Sequence, residues 1–278
     1  MSRTSQIVIV IVLAAVVAAG GVLVARRQAE SGGGAGAPAS PGVIVYAPCG
    51  MSSPIAIATQ RFREANPDVQ INVVFDNSIV LVRKIRAGDR PDVFLSPGEL
   101  EMKQLTQEGY IDGATVRDFG TLDIVIIAPS KTKLNSIREL TSPSIKQVSM
   151  ADPKLNSVGW YAQKAFENMG LWEPLKGKLL PREYPLEAIT LATTGKVDAG
   201  VAFLTCPLET APDKADASDV RVVEKFPRDS YPPVRLQLGI LKESKKRDLG
   251  QRYLDFLTSE AGQKAVATNG IRPAKEIQ

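Results

Sequence analysis

Hydrophobic positions along the folded part of the chain follow two patterns in turn, one typical of strands and one of helices. The β-branched run at residues 43–46 is followed by Ile55, Ala58 and Phe62, which recur at helical spacing until Asn66 and Pro67 end the pattern. Strands that alternate with helices imply right-handed βαβ units and a mostly parallel sheet. The pattern therefore predicts an α/β fold, and its two successive sets of elements predict two lobes.

The same patterns place the remaining elements. The predicted strands are residues 43–46, 69–75, 92–96, 122–127, 148–150, 199–203 and 236–241. The predicted helices are residues 54–65, 79–87, 99–108, 158–169, 187–194, 248–257 and 260–268. Ser53 and Ser78 are the predicted N-caps of the first two helices, because serine before a helical pattern commonly accepts its first free N–H groups.

The first 42 residues have a different composition from the rest. Residues 7–24 are an uncharged apolar run, which as a helix would extend about 27 Å, close to the hydrocarbon thickness of a bilayer. We favour an uncleaved membrane anchor over a removed signal peptide, whose apolar core is usually shorter. Residues 31–42 are rich in Gly, Ala, Ser and Pro and predict a flexible linker. Together they predict an extracytoplasmic, membrane-anchored protein.

Composition excludes several classes of function. The 278 residues include 34 Lys and Arg, 30 Asp and Glu, two Cys and no His. Without histidine there is no His-ligated zinc and no His-based catalytic triad. The formal net charge is only +4, and no arginine-rich run with interleaved aromatics is present, so we expect no nucleic-acid partner. We predict no catalytic residue, no metal ligand and no cofactor.

Three predicted strand-to-helix turns contain small or hydroxylated residues, at residues 49–53, 76–78 and 156–159. A helix N-terminus offers unpaired N–H groups and a partial positive charge, so it can hold an anion without a basic side chain. Gly50 and Gly159 would let the backbone approach a ligand closely. Each turn taken alone is more typical of an ordinary helix cap than of an anion site. An anion site follows only if the three turns meet.

Four blocks of this sequence resemble the periplasmic molybdate-binding proteins of ABC transporters. The most specific is Phe75-Asp-Asn-Ser-Ile-Val-Leu-Val-Arg-Lys-Ile-Arg-Ala-Gly88 with the Asp-x-Phe-x-Ser element at residues 92–96. The others are residues 45–51, 152–162 and 195–203, and the resemblance extends from about residue 43 to residue 270.

The resemblance implies a two-lobed periplasmic-binding-protein-like fold of type II with a ligand cleft between the lobes. Lobe 1 would comprise residues 43–122 and 233–278, and lobe 2 residues 123–232. It further implies a monomer that captures a small molybdate- or tungstate-like oxyanion, closes about a hinge and presents the ligand to an ABC permease. The ligand-binding positions carried over from the family are Gly50, Met51, Ser52, Asn77, Ser78, Val158 and Phe203.

The sequence departs from the family pattern at several of these positions. Gly50 replaces a hydroxyl, Phe203 replaces a tyrosine, and Pro185 lacks the N–H that the family contributes nearby. Each lost donor would leave a ligand oxygen unpaired at a cost of about 1–3 kcal/mol. Ser52, Ser53 or Thr205 could compensate. The alternatives are therefore a binding or sensory protein for another small anion or a soft metal and, less favoured, a tethered enzyme that acts in the cleft.

Three further side chains near these turns have alternative interpretations. Cys49 and Cys206 would border the same cleft from opposite sides, as thiols, as a disulfide or as ligand contacts. Cys49 or Asp76 would be the reactive group of the alternative enzyme. Because the carboxylate of Asp76 would repel an oxyanion, we expect it to point away from the anion site.

Overall fold

The computed structural model describes residues 42–206 and 220–277. Within these ranges no helix has both the length and the apolar character needed to cross a membrane. The predicted anchor at residues 7–24 and all but the last residue of the predicted linker lie outside them. Both remain predictions from the sequence.

The described residues include ten strands and eight α-helices. The strands are β1 Val43–Pro48, β2 Ile71–Asp76, β3 Val93–Ser96, β4 Arg117–Gly120, β5 Ile124–Pro129, β6 Val148–Ala151, β7 Leu179–Arg182, β8 Ala199–Phe203, β9 Val220–Lys225 and β10 Leu236–Ile240. The helices are α1 Ser52–Ala65, α2 Ser78–Arg86, α3 Glu99–Gln107, α4 Ser157–Asn168, α5 Trp172–Leu175, α6 Pro185–Thr193, α7 Arg247–Thr258 and α8 Glu260–Ala267.

The strands form two five-stranded sheets, one in each lobe. The first has the order β2-β1-β3-β10-β4 and the second the order β7-β6-β8-β5-β9. In each sheet three neighbouring strands are parallel, as predicted. The prediction of a mostly parallel sheet is wrong for the others, because β10 and β5 run antiparallel to their neighbours. These are the strands at which the chain enters a sheet from the other lobe.

Central and edge strands differ in how well their sequences predict them. All six residues of β5 are buried, and the apolar run that predicts this strand reflects a position covered on both faces. The strands that the patterns miss are β4, β7 and β9, each of which lies at the edge of its sheet. Edge strands carry charged residues and prolines that interrupt an apolar run, as Arg117, Asp118 and Pro181 do here.

The chain crosses between the lobes twice. It leaves the first sheet after β4 and enters the second at β5, and it returns from β9 to β10 through residues 226–235. The residue limits predicted for each lobe stay a prediction. Pro48 and Phe203, the last residues of β1 and β8, line the cleft, so it lies at the carboxyl ends of the parallel strands, where ligands bind in open α/β sheets.

Candidate functional site

A cavity of about 260 Å³ lies in the cleft between the two lobes. Its wall contains all seven predicted ligand-binding residues, namely Gly50, Met51, Ser52, Asn77, Ser78, Val158 and Phe203. It also contains residues that the sequence did not single out as contacts, among them Pro97, Glu101, Asn156, Leu186, Ile189 and Ala202. That the seven residues contact a ligand stays a prediction, but the structure brings them together.

Four helices begin at this cavity. α1 and α2 begin there from one lobe, and α4 and α6 from the other. Three of these starts are the turns that the sequence predicted, and they do converge. The fourth start, at Pro185 and Leu186, was not predicted to be part of the anion site, and the sequence indicated only that Pro185 lacks an N–H donor. Each N-terminus contributes partial positive charge to the same space.

The start of α1 differs from the prediction. A 3-10 turn, Cys49–Met51, precedes it, and the Ser52 N–H donates to the carbonyl oxygen of Cys49. α1 begins at Ser52, so the prediction that Ser53 is its N-cap is wrong. The side chain of Ser53 instead accepts a hydrogen bond from Asn269, on the segment that follows α8.

Gly50 packs against Cys206, which comes from the other lobe. A Cβ added at Gly50 would lie 2.7 Å from the Cys206 Sγ, well inside van der Waals contact. Cys49 and Cys206 both line the cavity, one from each lobe. The missing hydroxyl at Gly50 is therefore accompanied by a sulfur atom in the space that a side chain there would need. Thr205, the third residue considered as a replacement donor, is buried and does not line the cavity.

At the start of α2 the predicted cap is displaced by one residue. Asn77, not Ser78, is the N-cap, and its Oδ1 accepts from the Ile79 N–H at 3.1 Å. Ser78 is the first helical residue and is buried. Its hydroxyl donates to Oε1 of Glu101 at 3.1 Å. The side chain that the family resemblance assigns to the ligand is therefore held by a carboxylate in this structure.

The same carboxylate reaches the start of α4 in the other lobe. The Ser157 N–H donates to Glu101 Oε1 at 3.2 Å, and the Ser157 hydroxyl donates to Oε2. Asn156 precedes this helix without a side-chain cap bond, and its Nδ2 donates to the carbonyl oxygen of Glu183. Glu101 thus supplies the cap of α4 from a different lobe, where the helix dipole favours negative charge.

Asn156 and Gly159 lie in the same turn at the start of α4. The Oδ1 of Asn156 is buried and has no hydrogen-bond partner among the described residues. A Cβ added at Gly159 would collide with the carbonyl group of Ala151. The close approach that Gly159 allows is therefore to the end of β6, and not to a ligand.

Glu101 is 1% exposed, and burial raises the pKa of its carboxyl, against the lowering effect of the hydrogen bonds from Ser157 and Ser78. The sequence analysis did not find this residue. A signal was present, since Glu101 lies four residues before Leu105 and next to Met102 on the buried stripe of α3. An acidic residue on an apolar helix face is uncommon unless it is paired.

Asp76 lies beside the site but faces away from it, as expected. Its Oδ2 accepts from Lys84 Nζ at 2.8 Å, and its Oδ1 accepts from the Asn77 N–H at 2.8 Å. Burial alone would raise its pKa, but these two hydrogen bonds and the charge of Lys84 hold the pKa below its usual range. Asp76 does not line the cavity.

Comparison with known proteins agrees with this architecture. The model of a family described as bacterial extracellular solute-binding proteins matches residues 43–272. A molybdate-binding protein, ModA, of Haemophilus influenzae is 25% identical over 238 residues, which cover 84% of this chain and 91% of the relative. This similarity covers most of the chain, and not only the four sequence blocks that resemble the family.

Solved structures show the same fold at lower identity. The periplasmic molybdate-binding protein of Azotobacter vinelandii superposes with a TM-score of 0.67 at 14% identity, over 82% of this chain and 98% of that one. The sulfate-binding protein SubI of Mycobacterium tuberculosis superposes with a TM-score of 0.70 at 14% identity, over 85% and 88%. The predicted two-lobed type II fold is confirmed. The chain belongs to the family of bacterial extracellular solute-binding proteins.

Proposed function

We propose that this protein captures a small tetrahedral oxyanion outside the cytoplasm and delivers it to an ABC permease. The observation that carries the proposal is the convergence of four helix N-termini, two from each lobe, on one cavity in the cleft. Their N–H groups and partial charges suit an anion that must be held without a basic side chain. Relatives named for molybdate binding support the same ligand class.

Capture would work by closure of the lobes, with no covalent step. Contacts across the cleft support this mechanism. Arg83 on α2 forms an ion pair with Glu183 of the other lobe and donates to the hydroxyl of Tyr184 at 3.2 Å. The bond from Ser157 to Glu101, which lines the cavity, also joins the lobes. A bound ligand would stabilise this closed arrangement by its differential affinity for it.

The proposal includes the predicted membrane anchor at residues 7–24 and a monomeric state. The anchor would hold the binding region next to the permease, and the predicted linker would give it reach. The anchor and the linker rest on the sequence pattern, and the monomeric state rests on the family resemblance.

Calorimetry on the full-length chain in a mild detergent tests the ligand class. The panel contains sodium molybdate, tungstate, sulfate and phosphate. Saturable binding of one oxyanion with a 1:1 stoichiometry is the expected result. Ser78→Ala should weaken that binding by about 1–2 kcal/mol, because the Ser78 hydroxyl, once it turns from Glu101 to the ligand, donates a hydrogen bond to a charged group. Ser136→Ala is the control, since Ser136 makes no cap bond and does not line the cavity. Binding of none of the four anions would reject the proposal.

A soft metal cation is the second candidate ligand, because sulfur-bearing side chains of both lobes line the cavity. They are Cys49 and Met51 from one lobe and Cys206 from the other. Thiolate and thioether ligands select soft ions such as Cu(I). Separate titrations with Cu(I) and Ag(I) test this candidate, and they favour it over an oxyanion only if none of the four anions binds, because the sulfur-bearing side chains retain soft ions whatever the natural ligand is.

A further inference from the structure

The charge pattern of the cavity opposes the binding of a dianion. Among the residues that line it, Glu101 is the only Lys, Arg, Asp or Glu. No Lys or Arg within the described ranges forms an ion pair with Glu101. A buried carboxylate next to a dianion, with no cation to compensate, places like charges together where water screens them poorly. Either the Glu101 carboxylate or the anion must therefore take up a proton when the anion binds.

The hydrogen bonds that Glu101 accepts at the starts of α2 and α4 also require a proton on the carboxyl before the serines can donate to a ligand. As a carboxylate, Glu101 accepts the hydroxyl hydrogens of Ser78 and Ser157 together with the N–H of Ser157. A serine hydroxyl carries a single hydrogen to donate. While Glu101 is ionised, neither hydroxyl can donate to a ligand. When Glu101 is protonated, its O–H becomes a donor and a serine hydroxyl is released.

The positions that lack a hydroxyl make this extra donor more valuable. Gly50 and Phe203 line the cavity and cannot donate from their side chains. A neutral Glu101 would supply an O–H donor in the same cavity. This residue therefore offers a replacement that the family pattern does not indicate.

We propose that Glu101 binds the oxyanion together with one proton, so that capture of a fully deprotonated anion takes up one proton from solution. This inference rests on the proposed function and deepens it. The proton comes from the buffer and stays on the Glu101 carboxyl, between it and the ligand, and no other bond forms or breaks. Burial of Glu101, which already raises the pKa of its carboxyl, acts in the same direction.

The other charged groups around Glu101 are engaged elsewhere. On α3 itself, Glu99 faces Arg235 at 4.0 Å. On α2, Lys84 pairs with Asp76, Arg86 pairs with Glu108, and Arg83 pairs across the cleft. On α4, Tyr161 is buried, and burial together with the nearby negative charges raises its pKa, so it stays neutral. β3 and β10 contribute no Lys, Arg, Asp or Glu. The thiols of Cys49 and Cys206 also line the cavity, so the part of the proton uptake that is due to Glu101 is the part that Glu101→Gln removes.

The test measures proton uptake directly on the full-length wild-type chain in detergent. The probe is the tightest-binding of molybdate, tungstate and sulfate. Titration calorimetry in pairs of buffers with different ionisation enthalpies, from pH 5.5 to 8.5, gives the number of protons bound with each anion. We expect this number to rise toward one as the pH increases. The Kd should then increase about tenfold for each further pH unit, as one-proton linkage requires.

Glu101→Gln is the matched variant, because its amide keeps the shape and can donate without a proton from solution. It should bind the same anion with no proton uptake and with a Kd that changes less than twofold over the pH range. Glu99→Gln, on the exposed side of the same helix, should behave as wild type.

Two different failures can be told apart. A wild-type protein that binds the anion with constant affinity and no uptake up to pH 8.5 overturns the role of Glu101 and leaves the proposed function standing. If neither wild type nor Glu101→Gln binds any of molybdate, tungstate, sulfate and phosphate at any pH, the proposed function fails and this inference with it.

Discussion

Because Glu101 is buried, it should change how the stability of the ligand-free protein depends on pH. A carboxyl whose pKa is raised in the folded state favours folding less and less as the pH rises from its unfolded value through the folded one. Glu101→Gln removes this penalty. The variant should therefore become more stable relative to wild type as the pH rises above about 4.5, by at most about 1.4 kcal/mol per pH unit within that window. Urea unfolding at several pH values measures the difference, and a difference independent of pH would contradict it.

Gly50 shows how a departure from a family pattern can involve two residues. It is not among the described glycines with positive φ, so a side chain is compatible with its backbone. The Cys206 Sγ occupies the space instead. Gly50→Ser alone should weaken anion binding, because the new Cβ would displace Cys206 and with it the opposite wall of the cavity.

Removing the sulfur should reverse that effect. In Gly50→Ser with Cys206→Ala, the added hydroxyl has room and can donate to the anion, so binding should be about tenfold tighter than in Cys206→Ala alone. Calorimetry on the single and double variants gives the coupling between the two positions. Equal affinities in the double variant and in Cys206→Ala would show that Gly50 does not face the ligand.

At the scale of elements, Gly98 sets how closely the loop before α3 approaches α4. A Cβ added there would lie 2.5 Å from the Ser157 Cβ and 3.0 Å from the Tyr161 Cε2. Gly98→Ala should push α4 away from Glu101 and hinder closure, so ligand affinity should fall at least tenfold while the fold is retained. Gly177→Ala is the control, because nothing lies within 4 Å of its added Cβ. Small-angle scattering with ligand should show a larger radius of gyration for Gly98→Ala than for this control.

The sequence predicted the elements well where burial imposes a pattern, and less well where contacts between elements decide. The strand Ala199–Phe203 was predicted with its observed limits, because it is buried throughout. The cap at Ser78 was placed one residue late, since the neighbouring Asn77 suits an N-cap equally well. The cap at Ser53 was placed two residues late, because the 3-10 turn Cys49–Met51 leads directly into α1. Glu101 was missed because its role comes from Ser157, 56 residues later in another lobe. No local spacing in the sequence encodes that contact.

At the scale of the whole molecule, closure depends on the two crossings between the lobes, and Asp123 joins them. It lies between β4 and β5, is 3% exposed and forms ion pairs with Lys225 at 2.9 Å, Arg228 at 3.3 Å and Arg272 at 2.8 Å. Lys225 ends β9 at the second crossing, whereas Arg272 lies in the C-terminal segment that pairs with Thr121. One carboxylate thus holds three cations, two from the second crossing and one from the C-terminal segment.

These contacts determine how stability should depend on pH. Burial alone would raise the pKa of Asp123, but the hydrogen bond from Lys225 and the charges of Arg272 and Arg228 hold the pKa below its usual range. A carboxyl with a lowered pKa contributes stability that is fully present above its unfolded pKa and is lost as the pH falls through the folded value. Asp123→Asn should therefore destabilise the protein by about 1–3 kcal/mol at neutral pH. Below the lowered pKa the variant and wild type should converge, because Asp123 is then neutral in both states.

The same substitution should also affect the ligand. With Asp123→Asn the three cations lose their shared partner and repel one another across both crossings, so the closed arrangement should be less favoured and the anion should dissociate faster. Stopped-flow release and urea unfolding measure the two effects, with Asp68→Asn as the control because its pair with Arg252 lies on the surface. A variant that is destabilised but releases its ligand at the wild-type rate would limit Asp123 to a structural role and exclude it from control of the hinge.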